Sequence, residues 1–166
     1  MKRIFPTINA AFILLEMLIL KLLDGQRNVA DLIQGYRLEG QVSLVFKYQK
    51  SQPHLTYLTK LSLKEVKYYM RTLLDAVGHL AEIGVMHRDI KPTNFLYDPE
   101  TRSGLLIDFG LSEIEMDHVT GNPRNPKLKN NPEVAKIVTL QKQMKIKNRT
   151  GTKGYMPPEA LFNFHN

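Results

Sequence analysis

Apolar residues occupy nearly every position from Ala10 to Leu23, interrupted only by Glu16 and Lys21. A run of that length exceeds a strand and predicts a helix over 9–23, buried around most of its girth and ending near Asp24-Gly25. Two strand-like runs follow, 29–37 and 41–48, joined by Leu38-Glu39-Gly40. The second alternates as a half-buried strand does, so the pair predicts a β-hairpin packed beside the first helix. The clearest helix opens at Ser62, where Glu65 three residues on completes a capping box. Val66, Tyr69, Met70, Leu73, Leu74, Val77, Leu80 and Ala81 then keep the i, i+3, i+4, i+7 rhythm until Gly84 stops it. Beyond Asn94 the pattern reads strand (95–97), turn (98–104), strand (105–107). From 112 to 149 periodicity fades among Gly121, Pro123, Pro126 and Pro132, which predicts a long mobile insert with a short basic helix over 134–147.

The long helix leads straight into His87-Arg88-Asp89-Ile90-Lys91-Pro92-Thr93-Asn94, and the second hairpin strand runs into Asp108-Phe109-Gly110. Each triplet alone is unremarkable, the first as a solvated turn and the second as a strand end. In this order, behind a rigid helical mount and the buried-strand run Leu105-Leu106-Ile107, they form a signature of phosphoryl transfer. That chemistry demands positioning and neutralisation, because the transition state spreads negative charge over the moving phosphoryl group. Asp89 is suited to orient a substrate hydroxyl and take its proton, and Lys91 to set an ammonium beside the phosphoryl group. Asn94 and Asp108 are oxygen donors of the kind that hold Mg²⁺, and the hairpin brings them to neighbouring strand ends. Phe109 is expected to pack inward, with Gly110 providing the turn.

Composition narrows the alternatives. At 166 residues and 43% hydrophobic content the chain can bury one ordinary core, and with no Cys it has neither disulfides nor thiolate metal sites. Residues 121–150 carry eight basic side chains and Glu133 as their one acid, so the whole formal charge of +7 resides there. Without interleaved aromatics this segment offers no base-stacking platform, and nucleic-acid binding is the weakest reading. Met1-Lys2-Arg3 ahead of the apolar run suggests a secretory leader, but Glu16 and Lys21 break the run and no small-residue cleavage site follows. An intracellular, soluble chain without a membrane segment is expected.

With Gly151-Thr152-Lys153-Gly154-Tyr155-Met156-Pro157-Pro158-Glu159 added, the chain resembles the eukaryotic protein kinase family. The last stretch is similar to the family's substrate-docking segment, with Met156 and Pro157 departing from it; Gly151 and Thr152 are the docking candidates, and Glu159 is expected to pair with an Arg of a later helix. Lys91 and Thr152 resemble serine/threonine rather than tyrosine kinases. Arg88 resembles the arginine that grips a phosphorylated activation segment. The run His87 to Tyr97, the following Asp98-Pro99 and the helix entry Ser62-Leu63-Lys64-Glu65-Val66 are similar to the DDK-type replication-initiating kinases, catalytic subunits with a regulatory activator. By that likeness Lys2 is the ATP-anchoring lysine and Glu16 its helix partner.

The resemblance implies an α+β, partial kinase-like fold: an N-lobe remnant with its helix (1–48), hinge, helices and catalytic loop (49–111), a basic activation-segment insert (112–150) and the docking segment (151–166). It further implies ATP and Mg²⁺ as cofactors, protein substrates (a replication helicase for the DDK type), an activating regulatory subunit and a nuclear address. Neither a Gly-rich phosphate loop nor the helices of the family's lower half fall within these residues, so the Leu73, Val77, Leu80 stripe is expected to be partly uncovered. Two readings follow: a fragment of an active serine/threonine kinase, or an inactive kinase-like module with a binding or regulatory role.

Overall fold

The computed structural model describes residues 1–144 and 151–158. Its first layer is a three-stranded antiparallel sheet of order β1-β3-β2, formed by β1 (Lys2–Ile4), β2 (Leu32–Leu38) and β3 (Gln41–Phe46). The β2–β3 connection places Glu39 and Gly40 at φ of 47° and 81°. Two successive left-handed residues match the right-handed twist of a tight hairpin. Strand β1 escaped the sequence pattern because three residues carry no period; pairing of Lys2 with Leu44 and Ile4 with Val42 makes it a strand.

Helix α1 (Ala10–Leu23) crosses this sheet. Asn9 caps it by accepting the Ala11 amide, and Asp24 closes it in the left-handed region. Ile13 joins Ile4 and Leu44 in a small cluster beneath the sheet, while Leu15, Ile19, Leu20 and Leu23 enter the main core. The strand expected over 29–37 begins only at Leu32. Residues 28–30 instead cross to the second layer, where the Ala30 amide donates to the Leu106 carbonyl at 2.9 Å and the Leu106 amide to that of Asn28 at 2.8 Å. Backbone hydrogen-bonding demand thus ties the two layers together at this crossing.

The second layer is built on α3 (Leu63–Ile83), which follows the short α2 (His54–Tyr57). Both halves of the Ser62/Glu65 capping box form, and Gly84 ends the helix at φ 89°. Against it packs the hairpin β5 (Phe95–Asp98) and β6 (Ser103–Leu106), with Tyr69 set edge-on to Phe95 at 5.2 Å between ring centres. The sequence marks α3 as apolar on a broad stripe, and the structure divides it. Leu80 is buried while Leu73 and Val77 are half-buried, so this stripe is partly uncovered, and Val66, Met70 and Leu74 face outward, Leu74 at 58%. Strand β6 packs against α3, and Leu73 and Leu80 belong to the main core cluster.

Residues 112–144 correct the expectation most. The short helix expected there is α4 (Pro132–Gln143), capped by Asn131, and the segment adds a strand the pattern did not predict, β7 (Glu113–Ile114), paired with β4 (Val85–Met86). Leu128, Val134 and Ile137 are buried in the main core. Val134 and Ile137 lie three apart on the inner face of α4, and with Leu128 they dock the segment. The end of the basic helix predicted over 134–147 lies outside the described residues beyond Met144. No helix among the described residues is long and apolar enough to cross a membrane.

The hairpin packing sets a stability test. A Cβ on Gly104 would stand 2.3 Å from Cζ of the fully buried Phe95. Gly104→Ala is expected to cost about 1–3 kcal/mol, as overpacked cores do, whereas Gly121→Ala is strained by its φ of 64° but meets nothing within 4 Å. Urea midpoints of the two variants should therefore separate, with Gly104→Ala the lower.

Candidate active site

An acid inside an apolar helix needs a partner, since an unpaired buried carboxylate would forfeit its hydration. Glu16, only 5% exposed, finds Lys2, whose ammonium donates to Oε1 at 2.7 Å. The same ammonium donates to Asp108 Oδ1 at 2.8 Å. Burial alone pulls the Lys2 pKa down most strongly, but the two carboxylates outweigh it and the pKa is raised. Three elements thereby meet at one charge: β1, α1 and the turn after β6.

That turn departs from expectation in one detail. The residue in the left-handed region is Asp108, at φ 65°, and not Gly110. A Cβ on Gly110 would lie 3.4 Å from Asp108 Oδ1 and 3.6 Å from Glu16 Oε2, so its missing side chain leaves room beside the charges. Phe109 packs inward as expected, 1% exposed, against the His87 ring at 4.8 Å.

Asp89 sits at the end of the long helix's following loop and is 8% exposed. Its carboxylate accepts from Lys91 Nζ at 2.7 Å, Asn94 Nδ2 at 3.0 Å, and the Thr152 amide and hydroxyl at 3.0 and 2.7 Å. Lys91 also donates to the Thr152 hydroxyl. Burial pushes the Asp89 pKa up, yet the Lys91 ammonium and the Thr152 donors prevail and hold it below the usual carboxylate value. Gly151 permits this approach, because a Cβ there would come within 2.5 Å of the Arg88 carbonyl. Glu159, at the other end of the docking segment, lies outside the described residues.

Beneath the loop, the Asp89 amide donates to His87 Nδ1 at 3.3 Å. The proton must then sit on Nε2, which donates to the Ile107 carbonyl at 3.0 Å. Burial lowers the His87 pKa, consistent with a neutral ring wired between the two functional turns. Arg88, at φ 69°, reaches Glu113 on β7 with a 3.0 Å ion pair. Glu113 was not legible as a site residue, since nothing in its spacing announces an arginine partner 25 positions back.

Asn94 and Asp108 stand side by side as the hairpin predicted, the Ile107 amide donating to the Asn94 carbonyl at 2.9 Å. Asn94 turns Nδ2 toward Asp89, leaving Oδ1 for another ligand. Both residues line a cavity of about 510 Å³ whose walls include Ala30, Phe46, Leu96, Leu105 and Ile107. An apolar slot with convergent polar groups at one end is the usual form of a small-molecule site. Among the described residues no group of three or more His, Asp or Glu could cage a metal unaided. The donor set nevertheless fits a hard cation that draws its remaining oxygens from phosphates and water, as Mg²⁺ commonly does.

The protein kinase domain model matches residues 5–166. The chain belongs to the protein kinase family. Within that family it is similar to a probable cell division control protein 7 homolog of Encephalitozoon cuniculi, 37% identical over 98% of this chain and 50% of that protein. It is likewise similar to the cell cycle serine/threonine-protein kinase hsk1 of Schizosaccharomyces pombe, 35% identical over 97% of this chain and 34% of the relative. A human cell division cycle 7-related protein kinase is 34% identical over 68% of the chain. These relatives identify a DDK-type serine/threonine kinase domain, and the chain spans half or less of their length. Kinase family membership implies ATP and a divalent metal.

A consequence of the kinase's buried His87 is pH dependence. With its folded pKa lowered, His87 contributes stability that is complete above the unfolded value near 6.5 and is lost as pH falls toward the folded one. His87→Gln should flatten this part of the profile, read as urea midpoints measured downward from pH 7.

Proposed function

We propose that this kinase domain transfers the γ-phosphoryl group of ATP to Ser or Thr hydroxyls of protein substrates. What carries the reading is the Asp89 carboxylate held at once by Lys91, Asn94 and Thr152, beside a Lys2–Glu16 pair that faces the same cleft. Lys2, fixed by Glu16, directs its charge at the nucleotide phosphates. Asn94 and Asp108 would hold Mg²⁺, which when bound offsets the charge of those phosphates. Asp89 orients the substrate hydroxyl: its oxygen forms the new bond to phosphorus as the bond to the ADP oxygen breaks, and Asp89 accepts the proton. Lys91 sets positive charge beside the group in flight, and Thr152 fixes Lys91 and Asp89 relative to each other. Gly151 and Thr152 bring the docking segment, and with it the substrate, to the base. Arg88 retains a phosphate-gripping role only for a phosphate that displaces Glu113.

The division into residues 1–48, 49–111, 112–150 and 151–166 belongs to the same reading. So do a regulatory activating subunit, a nuclear address and a part in replication initiation, which rest on the DDK-type likeness. An inactive module is not favoured, because a chain selected only for binding has no need to gather Lys2, Glu16, Asp89, Lys91, Asn94 and Asp108 at one cleft.

In a preparation that phosphorylates a protein substrate, Asp89→Asn should leave nucleotide affinity within about threefold while turnover falls by at least about 10³, in the range that general acid–base groups and positioning supply. Full turnover in that variant would remove the assigned role. Asp108→Asn should abolish the Mg²⁺-dependent part of ATP binding in calorimetry, and unaltered binding would contradict the metal-ligand assignment. Gly151→Ala should reduce turnover with little change in nucleotide affinity, since the intruding Cβ displaces Thr152 from Asp89 without touching the cleft wall.

A further inference from the structure

The segment between the metal turn and the docking segment touches both layers of the molecule. On the lower layer, β7 pairs with β4, the Glu115 amide donates to the Gly84 carbonyl at 2.8 Å, and Asn125 Nδ2 donates to the carbonyls of Glu82 and Ile83 at 2.8 and 3.0 Å. Those carbonyls belong to the last turn of α3, where they lack helical partners, so Asn125 serves as an external cap. On the upper layer, α4 packs against α1. Val134 and Ile137 are buried in the same core as Leu15, Ile19, Leu20 and Leu23, and Glu133 forms a 2.8 Å ion pair with Lys21. One further contact joins the two ends. Gln141 accepts from the Ile114 amide at 2.8 Å and donates to the Ile114 carbonyl at 3.1 Å, so its side-chain amide completes β7 as a neighbouring strand would.

We propose that residues 113–143 form an intramolecular strap that clamps α1 to the end of α3 and so keeps Glu16 on Lys2. The segment takes the part of a positioning element. Its helix reaches Glu16 through the body of α1, and its strand reaches the loop bearing Asp89 through the Glu113–Arg88 ion pair. A single docked segment therefore sets both sides of the cleft. The charge of the region agrees with this division of labour. Lys127, Lys129, Lys136 and Lys142 are exposed, whereas the apolar Leu128, Val134 and Ile137 point into the core. This inference rests on the proposed role of Lys2 and Glu16, although its structural core, the coupling of α4 to α1, does not require catalysis.

Amide hydrogen exchange on the whole chain tests the coupling without nucleotide. The double variant Val134→Ala/Ile137→Ala should speed exchange of the α1 amides at least tenfold while those in the middle of α3 keep their protection. Unchanged α1 exchange, or equal acceleration of both helices, would overturn the strap, the latter because it reports only a weakened core. Should that variant fail to fold, charge exchange at the surface pair serves. Glu133→Lys is expected to speed α1 exchange about two- to fivefold, the range an exposed ion pair can supply, and adding Lys21→Glu to restore it. Failure of the second change to restore protection would equally overturn the proposal. A wild-type chain that transfers no phosphate would count against the catalytic reading, while the exchange of α1 would still decide the strap.

Discussion

One ammonium group, on Lys2, holds the upper half of the site together. It is the second residue of the chain, on the shortest strand of the sheet, and it meets Glu16 from α1 and Asp108 from the turn after β6 within 2.8 Å. Of the three charges only Glu16 is buried; the side chains of Lys2 and Asp108 remain partly exposed. Glu16 lies in an apolar helix with its carboxylate buried, and Lys2 brings it a cation at 2.7 Å. Asp108 occupies the left-handed region, at φ 65°, which Asp enters more readily than most non-glycine residues. Pairing with one cation holds α1 and the turn bearing Asp108 at a fixed separation.

The lower half has an analogous centre in Asp89, with a different physical basis. There the carboxylate is surrounded by donors from two segments, Lys91 and Asn94 from its own loop and Thr152 from the segment beginning at Gly151. Each bond is directional, so together they set both the position and the orientation of the group. His87 adds rigidity from below, its neutral ring bridging the Asp89 amide and the Ile107 carbonyl. Because Ile107 directly precedes Asp108, displacement of the loop bearing Asp89 is felt at the turn bearing Asp108 through one imidazole. The two centres are further linked by the backbone crossing at Ala30 and Leu106, which carries the chain from one layer to the other.

Much of this was legible in the chain because it is local. The capping box at Ser62, the stop at Gly84, the hairpin after Asn94 and the inward Phe109 each depend on residues a few positions apart, and all appear as anticipated. Lys2 and Glu16, selected by family likeness, do meet. Strand β1 was invisible because its only warrant is a partner forty residues later. The start of β2 falls later than the pattern predicts because Val29 and Ala30 pair with Leu106 of β6 instead of with β3. In the segment after Ser112 the spacing of Val134 and Ile137 marks a helix, but no local signal names α1 as the surface it packs against.

The amino-acid sequence by itself determined the chemistry and the local frame: which residues can bear a phosphoryl-transfer site, which helix mounts the loop, and where turns must fall. These follow from side-chain type, backbone preference and short-range periodicity, all of which are properties of neighbouring residues. Only the tertiary structure decided which charges share a partner, that Thr152 closes on Asp89, that Arg88 is held by Glu113, and that α4 lies against α1. Such pairings span tens of residues, and many are compatible with the same pattern until the packing of one core selects among them.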